Sequence, residues 1–212
     1  MSNVLNLKQV FQCGIYSIEK LEFINLLFPI AEEFANKQKQ VQQFDQNNPI
    51  LMTEDFTLDY RVKDFLDYTL LIGDTILKDQ GYNLSNLDLT CQNIWAQEYY
   101  KNGSMEEHVH ANGVQLTAFY FLQTPAESLK MFLHDPRPAK KQIDLPELDV
   151  NNESMASSMI NIEPKAGCLY FINAWLPHSF SRNRSDTPVK FLHLNIGTQL
   201  KQPQKVNSPI IV

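Results

Sequence analysis

Two of the chain's five histidines stand two positions apart in Glu106-Glu107-His108-Val109-His110-Ala111-Asn112. Side chains alternate between the faces of a β-strand, so on a strand His108 and His110 point the same way and offer two imidazoles to one metal ion. A third, His178, lies far along the chain in Asn173-Ala174-Trp175-Leu176-Pro177-His178-Ser179, at the end of another strand-like run. Neutral imidazole is a good ligand for iron, copper, nickel or zinc, and three ligands on one face leave the other coordination positions open to substrate and oxygen. Against this stands a plainer reading, in which a His-x-His pair is two surface or hydrogen-bonded polar residues. His134 and His193 each stand alone on strand-like segments and read as satisfied polar residues outside the metal set.

The elements that must position these rings fall into two parts. Val4 to Ile15 alternates loosely and predicts a short strand; Ser17 then reads as a helix N-cap with Glu19 in the first turn. Leu21, Ile24, Leu27, Phe28, Ala31 and Phe34 recur at helical spacing, with Pro29 expected to kink the helix. The polar run Asn36 to Asn48 reads as a fraying helix end and a loop. A second helix is predicted from Leu58, Val62, Phe65, Leu66, Thr69, Ile76 and Leu77, with Gly81 placed to stop it.

After Gly81 the segments shorten to strand length. Leu87–Thr90, Ile94–Tyr100, Met105–Asn112, Gln115–Gln123, Ser128–Leu133, Ser158–Ile162, Cys168–Asn173 and Val189–Ile196 are the expected strands, and so many short strands with turns between them predict a sandwich or barrel. Arg137 to Met155 reads as a long surface loop, and the tail from Lys201 as an extended segment. Two helices ahead of the strands predict a helical layer packed on a sheet.

Bulk properties narrow the function classes. The 212 residues suit one domain (1–212), divided into a mostly helical part (1–86), a barrel core (87–200) and a tail (201–212). A net charge of −6 does not indicate nucleic acid as a partner, since binding phosphates needs a basic surface. Cys13, Cys91 and Cys168 are scattered with no CxxC pair, which points to free thiols in a reducing cytoplasm. Neither a signal peptide nor a membrane span is expected, because charged residues and proline interrupt the most apolar stretch, Leu21 to Phe34.

Three pieces in the second half occur in a telling order. They are His108-Val109-His110-Ala111-Asn112 followed by Leu116-Thr117-Ala118-Phe119-Tyr120-Phe121; Phe132-Leu133-His134-Asp135-Pro136-Arg137; and Pro164-Lys165-Ala166-Gly167-Cys168-Leu169-Tyr170-Phe171 running into Trp175-Leu176-Pro177-His178-Ser179. In this order they resemble the 2-oxoglutarate/Fe(II)-dependent oxygenases, in particular a group of microbial and phage proteins with a His-x-His motif and an Asp-Pro-Arg segment. The resemblance spans roughly residues 94 to 196. It implies an α+β, mainly β fold: a double-stranded β-helix (jelly-roll, cupin-like) barrel with the two N-terminal helices packed outside. It also implies Fe(II) held by His108, His110 and His178, 2-oxoglutarate and O2 as co-substrates, and hydroxylation of an unidentified substrate with release of succinate and CO2.

The wider superfamily uses His-x-Asp where this chain has His-x-His, which makes the site more positive. For the far carboxylate of 2-oxoglutarate the resemblance points to a cation on the last strand. Lys190 is the candidate, yet matching Asn195 to the family's asparagine puts the family's arginine at Val189, with Lys190 on the opposite face. Arg137, Tyr120 and Asn195 complete the expected co-substrate contacts. Two other readings stay open: a three-histidine metal enzyme of cupin type that uses no 2-oxo acid, and a non-catalytic jelly-roll binding module. Oligomeric state is not legible in the sequence.

Overall fold

The computed structural model describes residues 5–42, 45, 47–143 and 145–201. Two antiparallel sheets face each other, and two helices cover the outer face of the larger one. The larger sheet has the order β1-β8-β5-β10-β3-β2, formed by β1 (Ile15–Glu19), β8 (Cys168–Asn173), β5 (Val114–Gln123), β10 (Val189–Leu200), β3 (Leu87–Tyr99) and β2 (Ile50–Met52). The smaller has the order β4-β9-β6-β7, formed by β4 (Met105–His108), β9 (His178–Phe180), β6 (Met131–His134) and β7 (Met159–Ile162).

Alternation along the central strands sorts side chains into two cores. Phe119, Phe121, Val189 and Phe191 face inward and meet Met131, Leu133 and Phe180 of the smaller sheet. Ala118, Tyr120, Leu122, Leu192 and Leu194 face outward and pack under the helices α1 (Glu22–Lys39) and α2 (Lys63–Asp79). α1 supplies Leu27, Ile30, Ala31 and Ala35, and α2 supplies Phe65, Leu66, Ile76 and Leu77, both at helical spacing. Gly73 lets α2 lie close to the sheet: a Cβ there would stand 3.1 Å from Leu89 and 3.4 Å from Leu116.

Several boundaries differ from the sequence expectations. The first strand is Ile15–Glu19 rather than Val4–Ile15; of that earlier segment, Val4 lies outside the described residues. Ser17 sits within this strand opposite Tyr170, so it caps nothing, and α1 begins at Glu22 without a side-chain cap. Edge pairing with β8 outweighs the local capping signal. α1 runs through Pro29 to Lys39, and Leu58, 98% exposed, precedes α2. The two strands expected at 87–90 and 94–100 are one, β3, paired along its length with β10. Two short strands, β2 and β9, were not expected: each is only three residues long and exists through pairing with a distant strand. Gly81 follows α2 at φ +91°, as its predicted stop role requires. Of the tail, only Lys201 lies among the described residues.

Phe65 is fully buried where the helices meet the sheet, with Phe23 at 5.2 Å and Tyr120 at 5.1 Å between ring centroids. Phe65→Ala is expected to lower the unfolding free energy by about 3–5 kcal/mol. Urea unfolding reads this as a lower midpoint at unchanged slope.

Candidate metal centre

β4 ends at His108, which pairs directly with His178 at the start of β9. His110 lies beyond the strand, yet its backbone N–H donates to the Ala174 carbonyl at 2.8 Å, and this holds it in line. Asn112 and Gly113, both at positive φ, then turn the chain into β5. One nitrogen from each of His108, His110 and His178 lies within 4.8 Å of the others.

Backbone carbonyls orient two of the rings. Nδ1 of His108 donates to the Glu106 carbonyl at 2.8 Å, and Nδ1 of His178 to the Leu176 carbonyl at 3.0 Å. The proton is thereby fixed on Nδ1 and the lone pair on Nε2. Nε2 of His110 and Nε2 of His178 are buried and have no partner. Burial drives the pKa of His178 down to about 3 and that of His110 to about 4, with neighbouring imidazoles adding to both effects. Neutral rings with bare nitrogens on one side are what a divalent transition metal needs, so this donor set fits such an ion.

The expected co-substrate residues are not brought together. Lys190 faces outward under α1, where it pairs with Glu32 and, at 2.9 Å, with the buried Glu98. Burial opposes its charge, but the hydrogen bonds to Glu32 and Glu98 outweigh this and raise its pKa. The alternation of β10 accounts for this placement: Leu192 and Leu194, on the same face, pack under the helices. Tyr120 also faces outward; its hydroxyl donates to the Lys20 carbonyl at 2.6 Å. Arg137 is exposed and grips Asp135 with Nε and Nη2 at 2.9 and 2.7 Å. Asn195 faces into the barrel opposite Thr117, with its Oδ1 buried and unpartnered.

The interior is graded. Around Val189, Phe191 and Phe121 it is hydrocarbon; around His193, Asn195 and Thr117 it is polar. The three histidines lie where these regions meet, His178 against Phe119 at 5.5 Å and His110 against His193 at 5.0 Å. None of the fully buried polar side chains among the described residues is a lysine or an arginine. His193, expected to be a satisfied polar residue, shares a face with Asn195 and leaves its Nε2 buried without a partner among the described residues; that shared parity was the available signal. His134 bonds Ser179 at 2.8 Å and stays outside the cluster. Next to Ala174, the exposed Trp175 edges a groove of about 460 Å³ that also involves Tyr16, Gln80, Tyr82 and Asn173.

Residues 93–189 match a family model described as "Putative 2OG-Fe(II) oxygenase". No curated protein matches the sequence. Among solved structures, the chain is similar to the alpha ketoglutarate dependent epimerase SnoN from nogalamycin biosynthesis: 14% identity, 90% of this chain and 79% of that one covered, TM-score 0.61. It is also similar to a Pseudomonas putida prolyl-4-hydroxylase (12% identity, 89% and 94% covered, TM-score 0.56). A third similar structure is the viral collagen prolyl hydroxylase of Paramecium Bursaria Chlorella virus-1 (11% identity, 86% and 94% covered, TM-score 0.54). At such identities the likeness carries the fold, a mainly β double-stranded β-helix, as the sequence resemblance implied.

Two outcomes follow from the geometry. Because burial depresses the pKa of His178 and His110 below that of a free imidazole, the unfolded chain takes up protons first as pH falls below about 6.5. Their contribution to stability is therefore complete above about pH 6.5 and declines below it, by up to about 1.4 kcal/mol per pH unit for each ring. Urea melts of the metal-free protein between pH 7 and 4.5 should show this slope, and His178→Phe should flatten it. Lys190→Met leaves the buried Glu98 with the Tyr100 hydroxyl and with Lys39 as its one ion-pair partner among the described residues, and should cost about 3 kcal/mol; combining it with Glu98→Gln should recover part of that loss in the same melts.

Proposed function

We propose, from the match of residues 93–189 to the 2OG-Fe(II) oxygenase family model, that the protein is an Fe(II)- and 2-oxoglutarate-dependent oxygenase that hydroxylates a carbon of its substrate. The observation that carries this reading is the set of three imidazoles whose ligand nitrogens lie within 4.8 Å of one another. In this reading His108, His110 and His178 hold the iron. When bound, iron and 2-oxoglutarate supply oxidation by O2, coupled to conversion of the 2-oxo acid into succinate and CO2.

The chain's own contribution is to position and to exclude. The carbonyls of Glu106 and Leu176 keep two Nε2 lone pairs aimed at the metal, and burial keeps His110 and His178 neutral at physiological pH. Phe119, Phe180 and Phe191 close the barrel behind the rings and keep water from the reacting centre. We assign the chain to a single functional unit in a reducing compartment, in keeping with Cys13, Cys91 and Cys168 as free thiols. No helix among the described residues is long and apolar enough to cross a membrane.

One observation favours a second reading, a three-histidine metal enzyme that uses no 2-oxo acid: among the described residues no lysine or arginine is buried in the barrel to meet a far carboxylate. The two readings separate in one experiment. Adding Fe(II) and 2-oxoglutarate anaerobically to the metal-free protein should give the visible charge-transfer absorption of an iron chelate, and admitting oxygen should give succinate. His108→Ala and His178→Ala should each abolish both signals. Iron binding without that absorption would transfer the protein to the second reading.

A further inference from the structure

His193 lies on β10 next to the candidate ligands and carries no role in the reading above. It is 3% exposed and clamped between two rings, Trp95 at 4.1 Å and Phe119 at 4.6 Å, with its edge against His110 at 5.0 Å. Its Nδ1 faces the Gln97 amide nitrogen at 3.4 Å. When that amide donates to Nδ1, the ring's proton sits on Nε2, which makes Nε2 a donor. Nε2 is buried and has no partner among the described residues. Thr117 Oγ1 and Asn195 Oδ1, on the same interior face and opposite each other, are likewise buried and bare.

Leaving such groups unsatisfied costs about 1–3 kcal/mol each. Three of them on one wall beside a metal site therefore imply a polar ligand. Among the described residues no nitrogen or oxygen is bonded to them and no lysine or arginine is buried with them, so what they offer is a set of neutral hydrogen bonds.

We propose that His193, oriented by Gln97, donates from Nε2 to a carboxylate of the metal-bound 2-oxo acid, and that this chain holds its co-substrate by neutral hydrogen bonds with Thr117 alongside instead of by a buried cation. The assignment rests on the oxygenase reading and deepens it. Lys190 is then an element of the fold, and His193 is a co-substrate-binding residue. A neutral donor inside the barrel keeps its full strength where little water competes, so it can replace an ion pair without the desolvation penalty of a buried cation.

The test is an anaerobic titration of 2-oxoglutarate into the Fe(II)-loaded full chain, read by the chelate absorption, with Co(II) affinity as a separate measure of the metal site. His193→Phe keeps the ring packing and removes the donor. It should bind Co(II) as the parent does, need about tenfold or more 2-oxoglutarate, the worth of one hydrogen bond to a charged group, and shift the absorption maximum. His193→Gln, which can donate again, should recover most of the affinity; Gln97→Leu, which releases the tautomer, should lose part of it.

Parent-like affinity and absorption in His193→Phe would overturn the proposal. So would an equal loss of Co(II) binding, which would make His193 part of the metal-binding set. Should His193→Phe fail to fold, unchanged titrations of both His193→Gln and Gln97→Leu would overturn it instead. Absence of the chelate in the parent protein would remove the oxygenase reading and this assignment together, whereas a parent chelate indifferent to all three substitutions would remove only this assignment.

Discussion

The structure depends on holding three imidazoles close together, with Nε2 of His110 and of His178 buried and bare. Each ring is placed by a different device: strand pairing with β9 for His108, a backbone bond to Ala174 for His110, and a fully buried position at the start of β9 for His178. Such a cluster is costly as a purely structural feature, because unpartnered nitrogens are being withheld from water. Its presence at the junction of the two sheets makes sense when a metal supplies the missing partner.

The sheets serve this constraint. The smaller one is short, and its strands β4 and β9 carry the candidate ligands His108 and His178 at their ends. The larger sheet is the rigid member. One face is covered by α1 and α2 and the other lines the barrel, so every residue of β5 and β10 is assigned to helix or barrel by its parity alone. Lys190 and Tyr120 fall on the helical side; His193, Asn195 and Thr117 fall on the barrel side. The ion cluster of Lys190, Glu32, Glu98 and Lys39 then reads as the seal between α1 and the sheet.

The grading of the interior has a functional consequence. Hydrocarbon at one end excludes water, and uncharged donors and acceptors at the other give a ligand directed contacts without a fixed charge. A site with three histidines and no carboxylate is already the more positive kind. An anionic ligand gains from the metal itself in such a site, and a second buried cation is less needed.

Much of this was legible in residue order. The His-x-His pair, the distant His178, the amphipathic stripes of both helices and the series of short strands follow from periodicities of two and 3.6 and from the chemistry of imidazole, all local properties. The alternation that separates Lys190 from Val189 was also present in the sequence, and Lys190 lies on the helical face, paired with Glu32 and Glu98. What the sequence could not decide depends on partners distant along the chain. The three-residue strands β2 and β9 exist only because β3, β4 and β6 pair with them, and Ser17 is a strand residue because β8 lies beside it. His193 looked like an isolated polar residue until the barrel closed and placed it against His110 and Gln97. Tertiary structure alone made that decision, because a hydrogen bond left unmade has no signature in sequence until burial removes the water that would have made it.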